Sequence, residues 1–144
     1  MKIGEIKIKN FRQYENVDGK PQSVRLSTDE SNNISIIEGS NGAGKTNLFN
    51  AIQWCLYGTE ELHEQDEKTR EENESLPVIT QSILENMEEG KIEEASVEVI
   101  FYENGEPKYS VKRRKEFYKT NNEGMMTDVV ELTVQERKDS GWDK

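Results

Sequence analysis

The run Gly39-Ser40-Asn41-Gly42-Ala43-Gly44-Lys45-Thr46 constrains this chain more than any other feature, because it satisfies the pattern G-x-x-x-x-G-K-[ST]. Glycines at these spacings let the backbone curl, so that successive N–H groups point inward as an anion nest. A helix starting near Gly44 would aim its positive end at the same place. Lys45 would bring a mobile charge to the β- and γ-phosphates of a nucleotide. The Thr46 hydroxyl is a hard oxygen ligand suited to Mg²⁺. A ligand-free strand–helix turn would explain the glycines but not Lys45-Thr46 at the helix start. The run therefore implies a nucleoside triphosphate, ATP with Mg²⁺, with Lys45 as the catalytic cation and Asn47 at the margin of the loop.

The flanks carry the same implication. Ile34, Ile36 and Ile37 form a nearly continuous apolar segment, the pattern of a strand covered on both faces. After the loop, Leu48, Ile52 and Cys55 recur at helical spacing, with Phe49 and Leu56 broadening the stripe and Gly58 placed to stop it.

Before the loop, Gly4, Ile6 and Ile8 alternate with charged residues, which predicts a strand with one buried face. Asn10 to Tyr14 forms a polar-aromatic exit, Asp18 to Pro21 a turn, and Val24 with Leu26 a short second strand. Beyond Gly58, residues Glu60 to Ser75 hold eight Asp/Glu in sixteen residues, with His63 among them and Leu62 the one aliphatic side chain. This composition reads as a solvated helix or insertion, with an acidic docking surface as the alternative. A second short helix is predicted after Pro77, with Ile79, Ile83, Leu84 and Met87 on one side and Gly90 ending it. Ala95, Val97, Val99 and Phe101 then alternate strictly up to Asn104-Gly105, a hairpin signal. Tyr109, Val111 and Arg113 continue on the return strand. After a polar turn at Asn121 to Gly124 come Val130, Leu132 and Val134, giving an antiparallel meander over 95–135.

Composition narrows the partners. Hydrophobic residues make up 32% and charged residues 33%, so the core is lean. The net charge of −10 argues against strong autonomous nucleic-acid binding. Cys55 is the one cysteine, so neither an internal disulfide nor a Cys-based zinc site is expected. Neither a signal peptide nor an apolar run of membrane-spanning length is visible, and a soluble cytoplasmic protein is the expectation. The basic run Lys112-Arg113-Arg114-Lys115, with Phe117, Tyr118 and Lys119 after it, could contact DNA phosphates. It reads more readily as a solvated edge strand.

Partner motifs for the loop are missing. Val99-Ile100-Phe101-Tyr102-Glu103 has the outline of an apolar strand ending in a metal-orienting carboxylate, but Glu103 runs into the Asn104-Gly105 turn. Neither N-K-x-D nor an L-S-G-G-like signature occurs. The chain thus carries half of an ATPase site.

Several segments together resemble the N-terminal lobe of SMC-like coiled-coil ABC ATPases. They are Asn10-Phe11-Arg12-Gln13-Tyr14, Leu26-Ser27-Thr28-Asp29, Ile34 to Ile37, the glycine loop, and Asn50 to Gly58. That group includes RecF, RecN and the coiled-coil subunit of the double-strand-break repair nuclease, and DndD-type ATPases of DNA phosphorothioate and phage-defence systems are the nearest match. The detailed match covers roughly the first 58 residues, and Ala95 to Arg114 fits more loosely. The resemblance implies an α/β fold: a P-loop NTPase with a mixed sheet, a Walker A helix and an antiparallel meander. Residues 1–144 would be the N-terminal lobe of a split head. The C-terminal lobe would bring the signature and Walker B motifs, and a second head would complete a head-to-head dimer. DNA and a nuclease or modification-system partner are implied for the full assembly. By the same analogy Arg12 and Gln13 lie near the nucleotide, Arg12 either as a phosphate or base contact or as an ordinary surface arginine. Asn47 departs from relatives with a hydroxyl residue there. The acidic stretch sits where some relatives project an arginine toward the γ-phosphate, and Arg70 is available for that.

Two other readings stand beside this one: a small P-loop kinase-like enzyme, and a non-catalytic module that a nucleotide merely stabilises. On the leading reading, this chain alone turns over ATP little or not at all.

Overall fold

The computed structural model describes residues 1–58, 78–119 and 126–143. The acidic stretch with His63 and Arg70, and the turn at 121–124, lie outside the described residues. In chain order the elements are β1 (Lys2–Lys9), β2 (Gln22–Arg25), α1 (Lys45–Tyr57), α2 (Gln81–Asn86), β3 (Ile92–Glu103), β4 (Glu106–Tyr118), β5 (Met126–Lys138) and β6 (Gly141–Asp143). The strands form one six-stranded sheet in the order β2-β1-β3-β4-β5-β6.

Every pairing in that sheet is antiparallel. The sheet is therefore not the mixed sheet expected from the sequence. The difference lies at Ile34–Ile37, which joins no strand. Ile34 is 79% and Ile36 88% exposed, the opposite of a segment covered on both faces. A strand exists only through its ladder, because unpaired backbone N–H and C=O groups gain nothing from extension. Ser27 N–H reaches the Ser35 hydroxyl at 2.8 Å, but no described segment forms a backbone ladder with these isoleucines, so the apolar composition does not become a strand.

The meander forms as the alternation predicts. Asn104 and Gly105 both take positive φ, 53° and 83°, as a tight two-residue turn between β3 and β4 requires. Register then stacks Ile6 on Val99 and Ile8 on Val97, and Val97 on Arg113 and Val99 on Val111. This face, with Ala95, packs against α1, burying Ile6, Ile8, Val97 and Val99 completely. From α1, Leu48, Ala51, Trp54 and Cys55 enter the core, while Phe49 stays 52% exposed. The stripe is thus rotated from the expected one toward Ala51 and Trp54. Ile79, Leu84 and Met87 from the α2 region close the same core, as predicted. At the start of β1, Gly4 leaves room for the Tyr102 ring, which a Cβ would meet at 2.2 Å.

The opposite face is a lattice of ion pairs. Lys9 meets Glu94 at 2.6 Å and Lys7 meets Glu98 at 3.6 Å. Arg114 reaches Glu94 at 3.3 Å and both Glu116 and Glu131 at 2.8 Å. The Lys9 ammonium, hydrogen-bonded to Glu94, holds that carboxyl below its ordinary range.

The basic run is not an edge strand, because β4 lies inside the sheet between β3 and β5. Its members alternate between faces. Arg114 joins the lattice, while Arg113 turns to α1 and donates from Nε to the Cys55 carbonyl at 3.0 Å. The last turn of α1 has no basic residue of its own, so Arg113 supplies from β4 the cation that a helix C-terminus favours. Phe117 is buried, and Lys119 donates to the Met87 carbonyl at 3.3 Å.

Candidate nucleotide site

The site begins where β1 ends. Asn10 and Arg12 both take left-handed backbone, φ 50° and 53°. The chain folds into a tight turn closed by Phe11 N–H to Tyr14 O at 3.1 Å and Tyr14 N–H to Phe11 O at 2.8 Å. The Phe11 ring anchors the turn on Trp54 of α1, with centroids 5.4 Å apart. Asn10 secures its base, donating from Nδ2 to Glu94 O at 3.2 Å and accepting from Asn16 N–H at 3.1 Å. On its outer side, Arg12 N–H donates to Val78 O at 2.7 Å, and Thr80 N–H donates to Asn10 O at 2.9 Å. The turn therefore stands between the phosphate loop and the segment that leads into α2.

The phosphate loop itself runs from Gly39 to Thr46 and enters α1 at Lys45. Gly42 and Gly44 take φ 81° and 101°, values that a side chain would strain. Ala43 N–H closes a turn on Ser40 O at 3.1 Å, and Leu48 N–H opens the helix ladder on Gly44 O at 2.9 Å. Gly39 approaches Ala43 so closely that a Cβ there would stand 3.0 Å from the Ala43 Cβ. Ser40, Asn41, Gly42, Ala43, Lys45 and Thr46 are exposed, while Gly44 is buried. The Lys45 ammonium folds over the loop onto the carbonyls of Gly39, at 2.5 Å, and Ser40, at 2.9 Å.

Three side-chain bonds tie this loop to the turn after β1. Gln13 Nε2 donates to Gly42 O at 3.2 Å, Tyr14 OH donates to Gly44 O at 2.9 Å, and Asn47 Nδ2 donates to Gln13 Oε1 at 2.8 Å. Beside them lies a cleft of about 350 Å³ lined by Arg12, Gln13, Asn47, Ile79, Thr80, Gln81 and Ser82. Arg12 thus faces the cleft rather than open surface, and the structure gathers Arg12, Gln13 and Asn47 at one rim of the loop.

The residues present suit a magnesium nucleotide. α1 has no side-chain cap on its first turn and no acidic residue there, so nothing in its sequence offsets the positive end of the helix. The described contacts of the Lys45 ammonium are carbonyl oxygens, which a phosphate can replace. The exposed Thr46 hydroxyl offers one hard ligand. No cluster of three His, Cys, Asp or Glu able to hold a metal occurs among the described residues, so Mg²⁺ here would need phosphate oxygens and water as further ligands.

Two features of the site were not read from the sequence. Tyr14 contacts the loop directly. Segment 79–82 forms the far wall of the cleft, with the buried Thr80 Oγ1 lacking a hydrogen-bond partner. Its closeness comes from the backbone ladder with Asn10, for which sequence carries no local signal. Glu103 stands at the opposite end of β1 from the loop, since Tyr102 pairs with Lys2 and Ser96 with Lys9. At about 3.3 Å per residue, that is roughly 25 Å from the site, which confirms the hairpin-turn reading of Glu103.

No helix among the described residues is long and apolar enough to cross a membrane. Among known proteins, the chain is similar to the DNA replication and repair protein RecF of Prosthecochloris aestuarii, 40% identical over 55 residues. That stretch covers 38% of this chain and 12% of the relative, so the match spans only about an eighth of the relative's length. The profile of the AAA domain family matches residues 5–140. With almost the whole described sheet, α1 and the phosphate loop inside that match, the chain belongs to the AAA domain family of P-loop ATPases.

Proposed function

We propose that this chain binds ATP-Mg²⁺ as the N-terminal half of an SMC-like, RecF-type ATPase head. The observation that carries this is the phosphate loop at the uncapped start of α1, with Lys45 and Thr46 exposed at its mouth. In this reading Lys45 neutralises the β- and γ-phosphates, Thr46 ligates Mg²⁺, and backbone N–H groups of Gly39 to Lys45 cradle the oxygens. Arg12, Gln13 and Asn47 border the nucleoside side of the site.

Hydrolysis would need groups from elsewhere. The exposed, unpaired Ile34–Ile37 segment supports a missing lobe, because its composition fits a strand that gains partners on assembly. That lobe would bring the Mg²⁺-orienting carboxylate, and a second head would bring the signature motif. The process served would be DNA-linked, as the RecF similarity suggests, in repair, modification or phage defence. Contact between the basic run on β4 and DNA gains little support, since Arg113 and Arg114 are engaged within the fold.

Thermal melting with and without ATP-Mg²⁺ tests the binding reading. At a ligand concentration 100 times Kd the chain should gain about 2.7 kcal/mol. Absence of any gain, or a gain unaffected by Lys45→Ala, overturns it.

A further inference from the structure

The two loop glycines with left-handed backbone, Gly42 and Gly44, are also the two whose carbonyls are held from outside the loop. Both donors, Gln13 and Tyr14, sit on the turn after β1. There are no cis peptides among the described residues, so in each of their peptide planes the carbonyl and the next N–H point to opposite sides. Holding Gly44 C=O on the Tyr14 side therefore sets Lys45 N–H on the other side. Holding Gly42 C=O likewise sets Ala43 N–H, the group that closes the loop's turn on Ser40. The fit is close: a Cβ on Gly44 would stand 2.5 Å from Gln13 Nε2 and 3.0 Å from the Tyr14 hydroxyl. Burial pushes the Tyr14 phenol above its ordinary pKa, so it stays a neutral donor at physiological pH.

We propose that Tyr14 is a positioning residue for the phosphate loop, its hydroxyl locking the Gly44–Lys45 peptide plane so that Lys45 N–H is preset for a polyphosphate oxygen. Gln13 holds the Gly42–Ala43 plane, whose N–H closes the loop's turn on Ser40 O. The ligand class is the triphosphate itself, irrespective of the base, and the assignment rests on the nucleotide reading above. Gly44 O also accepts from Leu48 N–H at 2.9 Å, so without the Tyr14 bond the plane keeps one of its two holds, and affinity falls by the cost of restricting the freedom regained.

Titration calorimetry on the full chain tests this, with ATP-Mg²⁺ and Mg²⁺-tripolyphosphate as the two probes. Tyr14→Phe keeps the ring and removes the donor. It should weaken both probes by the same factor, about fivefold for one net hydrogen bond. Unchanged affinity for both, or a loss confined to ATP-Mg²⁺, overturns the assignment. If Tyr14→Phe does not fold, Gln13→Ala, at an exposed side chain, must weaken Mg²⁺-tripolyphosphate, which has no base for Gln13 to contact, and unchanged affinity for that probe has the same force. A wild-type chain that binds neither probe, or a Lys45→Ala chain that binds both as well as wild type, sinks the nucleotide reading and the positioning role with it. Wild-type binding with an indifferent Tyr14→Phe sinks the positioning role only.

Discussion

The meander β3–β5 and the phosphate-loop region 34–47 are built on opposite terms. In the meander, each strand finds its partner one turn away in the chain, and alternate side chains of β3 pack beneath α1, while Val130, Leu132 and Val134 of β5 stay exposed. The phosphate-loop region has no ladder, exposes three isoleucines, and is held by side-chain bonds from the turn after β1 some thirty residues away. The meander is a scaffold whose backbone is laddered strand by strand. The loop is positioned by the scaffold but keeps its polar groups at the surface. An anion site requires this, since a nest that satisfied its own N–H groups could not bind.

The contrast can be broken first at the core. Phe117→Ala on β4 removes a ring that is only 2% exposed, and should cost about 3–5 kcal/mol in denaturant unfolding. A cost under 1 kcal/mol would mean the meander is not the stabilising scaffold. Lys45→Ala should leave ligand-free stability near wild type while abolishing the roughly 2.7 kcal/mol gain with ATP-Mg²⁺ at 100 times Kd. The two variants therefore separate stability from binding.

Next in size is Arg113→Met, which keeps much of the stem but removes the cation from the C-terminus of α1. A loss of about 1 kcal/mol is expected, as for a charge at a helix end. A neutral result would assign Arg113 to packing alone.

Smaller still is a pH effect on the ion-pair lattice. Glu94 titrates lower in the folded chain than when unfolded, first because of the Lys9 hydrogen bond. Its contribution is present above the unfolded carboxylate pKa of about 4.3 and is lost as pH falls through the depressed folded value. Glu94→Gln should flatten this part of the acid limb in pH-dependent melting. The Cys55 thiol is pushed up to about 11, chiefly by burial. Stability should therefore decline from about pH 8.5, where an unfolded thiol ionises, up to about 11, and Cys55→Ala should remove that decline. Hydrogen exchange would then sharpen the comparison site by site: amides of 34–37 should exchange orders of magnitude faster than those of Val97 and Val99.

Local pattern found most of the scaffold. Alternation identified β1, β3 and β4, and Asn104-Gly105 located the hairpin, because both signals depend on near neighbours. The helix after the loop was legible from its spacing and from Gly58. The three-residue strand β6 was missed, since Gly141-Trp142-Asp143 is too short to show a period. Ile34–Ile37 misled in the other direction. Its apolar run describes what the segment could bury, but burial depends on a neighbouring strand, and none of the described ones serves.

For the candidate site, the sequence by itself determined the phosphate loop: its glycines, Lys45 and Thr46 all fall between Gly39 and Thr46, and their chemistry follows from spacing along one short stretch of backbone. It also pointed to the P-loop ATPases at the level of the AAA domain family, through motifs that survive as local words. Tertiary structure alone decided what holds the loop in shape. The sheet register and the left-handed turn at Asn10 and Arg12 carry Gln13 and Tyr14 to the carbonyls of Gly42 and Gly44. Contacts across thirty residues of chain leave no period to read, because they depend on where the sheet ends rather than on which residues adjoin.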